Sequence, residues 1–120
     1  MGAKVFILQL QQLGYVPIIY PNDFVGFKFR IPHGRFRDIE VEIAVQVPGF
    51  PDIPPPGPNI RPHLLPLKPS AGQHPYHGIH PVARPSSEFQ YWSRPFKGWA
   101  STDKDVKVYL AFLRTLFDFE

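Results

Sequence analysis

The sequence has 120 residues, which suits one domain spanning residues 1–120 with a single core and is too short for two. A hydrophobic fraction of 43% and an aromatic fraction of 15% indicate a packed globule. The net charge of +3 comes from basic residues spread along the chain, so we expect no nucleic-acid partner. The lack of cysteine excludes disulfides, thiolate zinc sites and thiol nucleophiles.

The N-terminal segment, residues 3–13, has good helix formers at its end, and Gly14 stands where a helix C-cap belongs. It predicts a short helix, although the apolar run from Val5 to Leu8 could equally form a strand. Residues 15–20 contain a proline, which predicts an edge strand or an extended lead-in. Because the N-terminus is too short and too polar for a signal peptide, and no stretch reaches membrane-spanning length, we expect a cytoplasmic protein with no membrane partner.

Two alternating segments predict a β-hairpin. Residues 25–31 and 39–47 have apolar side chains at every second position, and turn residues lie between them at Pro32 to Arg35. Opposite charges on the two strands would face each other on the solvent side of the hairpin. These charges are Lys28 and Arg30 on the first strand and Glu40 and Glu42 on the second.

The middle of the chain is rich in proline, which removes backbone donors and prevents a helix. The run at 51–58 could serve as a polyproline ligand, but its place after a strand favours a structural rim. Ile60 to Leu67 could form one further short strand. Residues 68–88 show no periodicity and predict a long irregular loop, of a kind that is usually functional or mobile.

The C-terminal part joins an aromatic segment, Phe89 to Trp99, to an amphipathic helix. Thr102 and Asp105 have the spacing of a capping box, and apolar residues then recur at intervals of three and four. These are Val106, Tyr109, Leu110, Leu113, Leu116 and Phe117. We therefore predict an α+β domain, in which an antiparallel sheet of three or four strands packs against an N-terminal and a C-terminal helix.

Several short segments resemble motifs of the ubiquitin-conjugating-enzyme (UBC) superfamily. Gly49 to Pro55 is similar to the proline-rich segment that follows the third strand of that family. His74 to Tyr76 and Gly78 to His80 resemble degraded forms of its His-Pro-Asn motif and its Gly-x-x-Cys loop. Trp92 to Pro95 resembles its Trp-Ser-Pro segment. The resemblance implies a UBC/RWD-like fold with a long Pro/His-rich loop.

A closer similarity is to a prokaryotic UBC-like family whose genes lie beside ubiquitin-like modifiers, activating enzymes and JAB-type peptidases. Its Trp-Ser-Arg-His segment, second tryptophan and following aspartate are matched here from Trp92 onwards, by Trp99 and by Asp103 or Asp105. Pro95 departs from that pattern, which has histidine there. The resemblance covers roughly residues 23–118.

The missing thiol determines which function this resemblance implies. A UBC enzyme carries its modifier as a thioester on cysteine, because a thiolate attacks and leaves more readily than a hydroxyl. The family's position would fall near His80 to Arg84, and its oxyanion-stabilising asparagine is replaced by Tyr76. We therefore expect a catalytically silent variant, without a cofactor, that binds a ubiquitin-like modifier or its activating enzyme in a bacterial modification system.

Two kinds of chemistry remain as alternatives in the loop. Ser86 or Ser93 could form an oxyester in place of a thioester, with His80 as the base, which would make the protein an enzyme. His74, His77 and His80 could ligate zinc with help from His33 or His63. No regular secondary structure is expected to orient these imidazole rings towards one metal ion, so we expect exposed loop histidines and no metal site.

The residues that we expect to contact a partner lie in the loop and around the second tryptophan. Trp92 and Trp99 could form an interaction patch, although at least one of them is expected in the core. A plain interaction domain with no link to modifiers is a further alternative. The expected contact residues are His74, Tyr76, His77, His80, Arg94, Phe96, Lys97 and Trp99.

Overall fold

The computed structural model describes residues 2–65 and 78–117. These residues form two α-helices, six strands and one 3-10 turn, Trp99–Ser101. The helices are α1 (Gly2–Gln12) and α2 (Val106–Leu116). The strands are β1 (Ile18–Ile19), β2 (Phe24–Arg30), β3 (Glu40–Gln46), β4 (Asn59–Arg61), β5 (Ile79–Pro81) and β6 (Gln90–Trp92). The predicted α+β class is confirmed.

The strands of the described residues form one antiparallel sheet in the order β1-β2-β3-β4-β6-β5. Its centre is the predicted hairpin, which pairs from Phe24 opposite Gln46 to Arg30 opposite Glu40. The hairpin prediction is confirmed. So is the edge strand within residues 15–20, because β1 pairs only with β2 at one side of the sheet.

Both helices pack on the same face of the sheet, which we call the inner face. The Phe6 ring of α1 lies 6.5 Å from Phe27 of β2 and 6.4 Å from Tyr109 of α2. After α2, the buried Phe117 stacks on Phe29 at 5.9 Å. Each such side chain contributes about 1.5–3 kcal/mol when fully buried, so these aromatic contacts form the centre of the core.

Single residues determine where α1 ends and where α2 begins. Gly14 adopts a φ of 91° just after α1, as expected of a residue that ends a helix in the left-handed region. The prediction at α2 was wrong in detail, because Asp105 is the N-cap itself and its side chain accepts from the Val108 amide at 2.8 Å. Thr102 lies before the helix, where its hydroxyl donates to the Trp99 carbonyl.

The predicted sheet of three or four strands was too small. β5 lies within residues 78–88, which were predicted to be irregular, and β6 lies in the aromatic segment. Each has three residues and β5 contains Pro81, so neither is long enough to show a period of two. β4, at Asn59–Arg61, is shorter than the strand expected within Ile60 to Leu67.

One predicted solvent-facing charge is buried. The register places Lys28 opposite Glu42 and Arg30 opposite Glu40, as expected. Glu42 is nevertheless only 3% exposed, because its carboxylate pairs with Arg61 of the neighbouring strand. The prediction that Glu42 lies on the solvent side was wrong, since the hairpin alone could not reveal a third strand.

Candidate functional site on the outer face of the sheet

The face of the sheet opposite the helices, which we call the outer face, carries the candidate site. The register aligns one row of residues on it, running from β2 to β5. That row contains Gly26, Ala44, Asn59, Tyr91 and His80. It therefore brings residues far apart in the sequence into one surface.

A cavity of about 500 Å³ opens beside this row, and Asn59 and Tyr91 of the row line it. Its walls are mainly apolar, with the rings of Phe24 and Tyr91, Pro56 and Val82 among them. A volume of this size lies within the range of ligand-binding clefts, which combine apolar walls with a few polar groups. We call this space the outer cavity.

The polar groups of the outer cavity are two amides and one guanidinium. Asn59 is 5% exposed and its amide nitrogen donates to the Ala44 carbonyl at 3.0 Å, which fixes the side chain. The Gln46 amide donates to the Asn22 carbonyl at 2.9 Å. Among the lining residues that the structure describes, Arg84 contributes the one charge, and none carries a carboxylate. The site is therefore apolar with a single positive charge.

A second, smaller cavity of about 260 Å³ adjoins the first, because Gln46 and Pro56 line both. Its other walls come mainly from the proline-rich segment, including Phe50 and Ile53, and none of the described residues that line it is charged. The Ile53 side chain is 64% exposed. We call these two neighbouring cavities together the outer groove, and Arg84 lines the larger of them.

Beside the groove, a charged cluster fastens the strands to one another. The buried Glu42 accepts from the Tyr20 hydroxyl at 2.5 Å and pairs with Arg61, which also pairs with Glu88. The Arg61 guanidinium lies 4.9 Å from the Phe89 ring centre. Burial and the hydrogen bond to Glu42 raise the pKa of Tyr20 to about 12. The cluster joins the residues after β1 to β3, β4 and the segment before β6.

The structure separates the groups predicted for oxyester chemistry. His80 is exposed on β5, where its ring stacks on Tyr91 at 6.1 Å. The Ser86 hydroxyl accepts from the Glu88 amide at 3.3 Å, and the Ser93 amide donates to the Gly78 carbonyl at 2.8 Å. Within the described residues no hydrogen bond joins His80 to either serine, so the structure shows no nucleophile held by a base.

The remaining predicted contact residues divide into three groups. His74, Tyr76 and His77 lie outside the described residues. Arg94 and Phe96 are half-buried, and Lys97 is exposed. Burial lowers the pKa of Arg94 below its ordinary value.

Both tryptophans serve the core. Trp99 is 4% exposed, and its indole nitrogen donates to the Pro51 carbonyl at 2.7 Å. Trp92 is 1% exposed and packs on Phe117 at 5.2 Å. The expectation of at least one core tryptophan is confirmed. The indole of Trp99 is therefore unavailable as an exposed contact and instead supports Phe96, whose ring lies 5.1 Å away.

Metal and membrane features are absent from the part of the chain that the structure describes. In residues 2–65 and 78–117, no three His, Asp, Glu or Cys side chains come together as a metal site. Neither helix of these residues has the length and apolar character needed to cross a bilayer.

Comparison with protein-family models, curated proteins and solved structures finds no match for this chain.

Sequence reasoning missed the residues that line the outer cavity. Phe24, Asn59, Arg84 and Tyr91 come from three strands and the segment after β5, and only the strand register brings them together. The one available signal was the aromatic segment, in which Tyr91 lies between two buried residues of a short strand. That alternation was too brief to identify as a strand.

Proposed function

We propose that this chain is a catalytically silent UBC-like domain that binds a ubiquitin-like modifier, or the enzyme that activates it, through its outer face. The observation that carries the proposal is the open, aromatic-walled outer cavity on the sheet face opposite both helices. The sequence segments that resemble the prokaryotic UBC-like family suggest the class of partner.

Two physical arguments support binding over catalysis. The chain has no thiol, so it cannot form the thioester on which UBC transfer depends. Aromatic side chains in a partly desolvated pocket, in contrast, commonly supply most of the affinity of a protein interface. Tyr91 is half-buried beside the exposed His80 and forms a wall of the cavity, which makes it the leading candidate for such a residue.

The test is a pull-down of purified protein with the ubiquitin-like and activating-enzyme-like products of neighbouring genes. We expect a stoichiometric non-covalent complex that Tyr91→Ala weakens by about 30-fold, the loss typical of a residue central to an interface. The matched control is Leu8→Ala, at a side chain that is 55% exposed on α1, outside the outer cavity. Failure of every such pair to associate would contradict the proposal and leave a plain interaction domain.

The alternative enzyme predicts a different result in the same experiment. Denaturing gels with and without hydroxylamine would reveal an oxyester as an adduct that the reagent removes. Each of the variants His80→Ala, Ser86→Ala and Ser93→Ala would abolish that adduct if the replaced residue is required to form it. We expect no adduct, and a binding module keeps its affinity in Ser86→Ala and Ser93→Ala, which remove no expected contact residue.

A further inference from the structure

The outer groove combines apolar walls with one positively charged residue. Its two cavities are walled mainly by proline, aliphatic and aromatic side chains, and Arg84 is the single charged residue among the described residues that line it. No hydrogen bond or ion pair engages the Arg84 guanidinium within the described residues, and its side chain is exposed. A ligand that fills the groove therefore gains most if it is apolar along its length and carries one negative charge at the Arg84 end.

The other polar groups that line the larger cavity with Arg84 restrict that ligand further. Asn59 and Gln46 bring side-chain amides to the same cavity, and Tyr91 brings its ring. Amides pair with peptide N–H and C=O groups, whereas the guanidinium pairs with a carboxylate. The α-carboxylate of a peptide is attached to the Cα atom of its last residue. A short C-terminal segment can therefore pair with the guanidinium and with the side-chain amides at the same time. A glutamate side chain holds its carboxylate two methylenes away from the backbone.

We propose that the outer groove binds the C-terminal end of an extended, apolar peptide, with its α-carboxylate on Arg84 and its preceding residues along Tyr91, Pro56 and Ile53. This inference rests on the proposed function, since it names the part of the partner that enters the groove. Capture of a terminal carboxylate is a recurrent mode of peptide recognition, and here the single positive charge fixes the direction of the bound chain.

The experiment titrates the full chain with short acetylated peptides of small apolar residues in isothermal calorimetry. We expect the free-acid peptide to bind and the same peptide with a C-terminal amide to bind at least tenfold more weakly. Raising the salt concentration weakens the free acid selectively, because the contact with Arg84 is exposed and screened. Equal binding of acid and amide, or no binding of the acid, would overturn the inference.

One further peptide and two variants of Arg84 test which carboxylate binds and where it binds. An amidated peptide with an internal glutamate tests a side-chain carboxylate, and affinity equal to that of the free acid would overturn the assignment to a chain terminus. Arg84→Gln should lower the affinity of the free acid to that of the amide, and Arg84→Lys should restore part of it. Arg37→Gln, at an exposed arginine in the turn between β2 and β3, is the matched control and should bind like the unaltered chain.

The outcomes separate this inference from the proposed function. If the modifier or activating enzyme binds and Arg84→Gln leaves that complex unchanged, the outer groove is not the site of a carboxylate and the inference fails alone. If the free-acid peptide binds through Arg84 but no modifier or activating enzyme associates, the proposed function fails and the terminal-carboxylate site stands.

Discussion

The carboxylate of Glu42, buried on β3, is paired with the guanidinium of Arg61 on β4, and the two residues face each other directly in the strand register. The pair is unequal in its access to water. The Glu42 side chain is 2% exposed, whereas that of Arg61 is 35% exposed and also pairs with Glu88. The two substitutions that break this pair should therefore have different costs.

Replacing Arg61 should be the more damaging change. Arg61→Met leaves a buried carboxylate without its cation, and we expect a loss of about 3 kcal/mol in the free energy of unfolding. Glu42→Gln leaves a partly hydrated guanidinium with a second partner, so its cost should be about 1 kcal/mol. Urea unfolding monitored by tryptophan fluorescence measures both. A larger loss for Glu42→Gln would contradict the burial that the structure assigns.

The Tyr20 hydroxyl should make stability depend on alkaline pH. Its pKa rises from 10.0 to about 12 on folding, because burial and the hydrogen bond to Glu42 favour the neutral phenol. The folded state thus holds this proton more tightly, so the contribution is fully present below pH 10 and is lost as the pH rises towards 12. Unfolding free energies at several pH values in that window should fall more steeply for the unaltered chain than for Tyr20→Phe.

Tyr15→Phe is the matched control for that titration, since the Tyr15 ring packs edge-on against Phe27 at 5.5 Å. We expect it to keep the steeper dependence on pH. Parallel curves for Tyr20→Phe and the unaltered chain would show that the hydroxyl is not held by Glu42.

The cap of α2 should depend on Asp105 rather than on Thr102. Asp105→Ala removes the acceptor of the Val108 amide and should cost about 1 kcal/mol, whereas Asp105→Asn should retain most of the stability. Asp103→Ala, at an exposed position two residues earlier, is the control and should change little. Thermal unfolding distinguishes these variants, and an equal loss for Asp103→Ala would argue against a specific cap.

Gly57 should be intolerant of any side chain. A Cβ there would lie 2.0 Å from the Trp92 carbonyl oxygen and 2.7 Å from the Arg94 amide nitrogen, which are backbone atoms of the neighbouring chain segment. We expect Gly57→Ala to cost about 3 kcal/mol, because β4 and β6 must separate to admit it.

Gly98→Ala provides the comparison for that clash. Gly98 has a φ of 81° and open space around its missing Cβ, so alanine there should cost only the strain of the left-handed backbone, about 1 kcal/mol. Chemical denaturation measures the free energy of unfolding of both variants and so compares the cost of the steric clash at Gly57 with the cost of backbone strain at Gly98. Equal losses would mean that β4 and β6 do not approach as closely as the structure shows.

The parts of the fold that the sequence predicted are those with a repeated pattern. The β2–β3 hairpin and α2 each show their period over several repeats, and Gly14 identifies the end of α1. β5 and β6 have three residues each and show no period. Their pairing depends on contacts distant in the sequence, which local patterns do not record.

The candidate site was less predictable for the same reason. No local sequence pattern marks Arg84 or Asn59, and only the strand order β4-β6-β5 brings them to the lining of one cavity. The burial of Glu42 was unpredictable for the same reason. It depends on pairing with Arg61, which lies on a strand that begins thirteen residues after β3 ends. Long-range pairing, rather than composition, creates this surface.

Gln90 has a consequence for how the chain can be re-engineered. Its side chain is fully buried, accepts from the amides of Leu64 and Leu65 and donates to the Leu65 carbonyl at 2.9 Å. The amide of Ser93, the residue that follows β6, donates to the Gly78 carbonyl. Gln90 therefore joins β6 to Leu64 and Leu65 through three hydrogen bonds. An apolar residue such as leucine at position 90 would leave these two amides and this carbonyl without partners in the core, so a redesigned chain has to keep the glutamine.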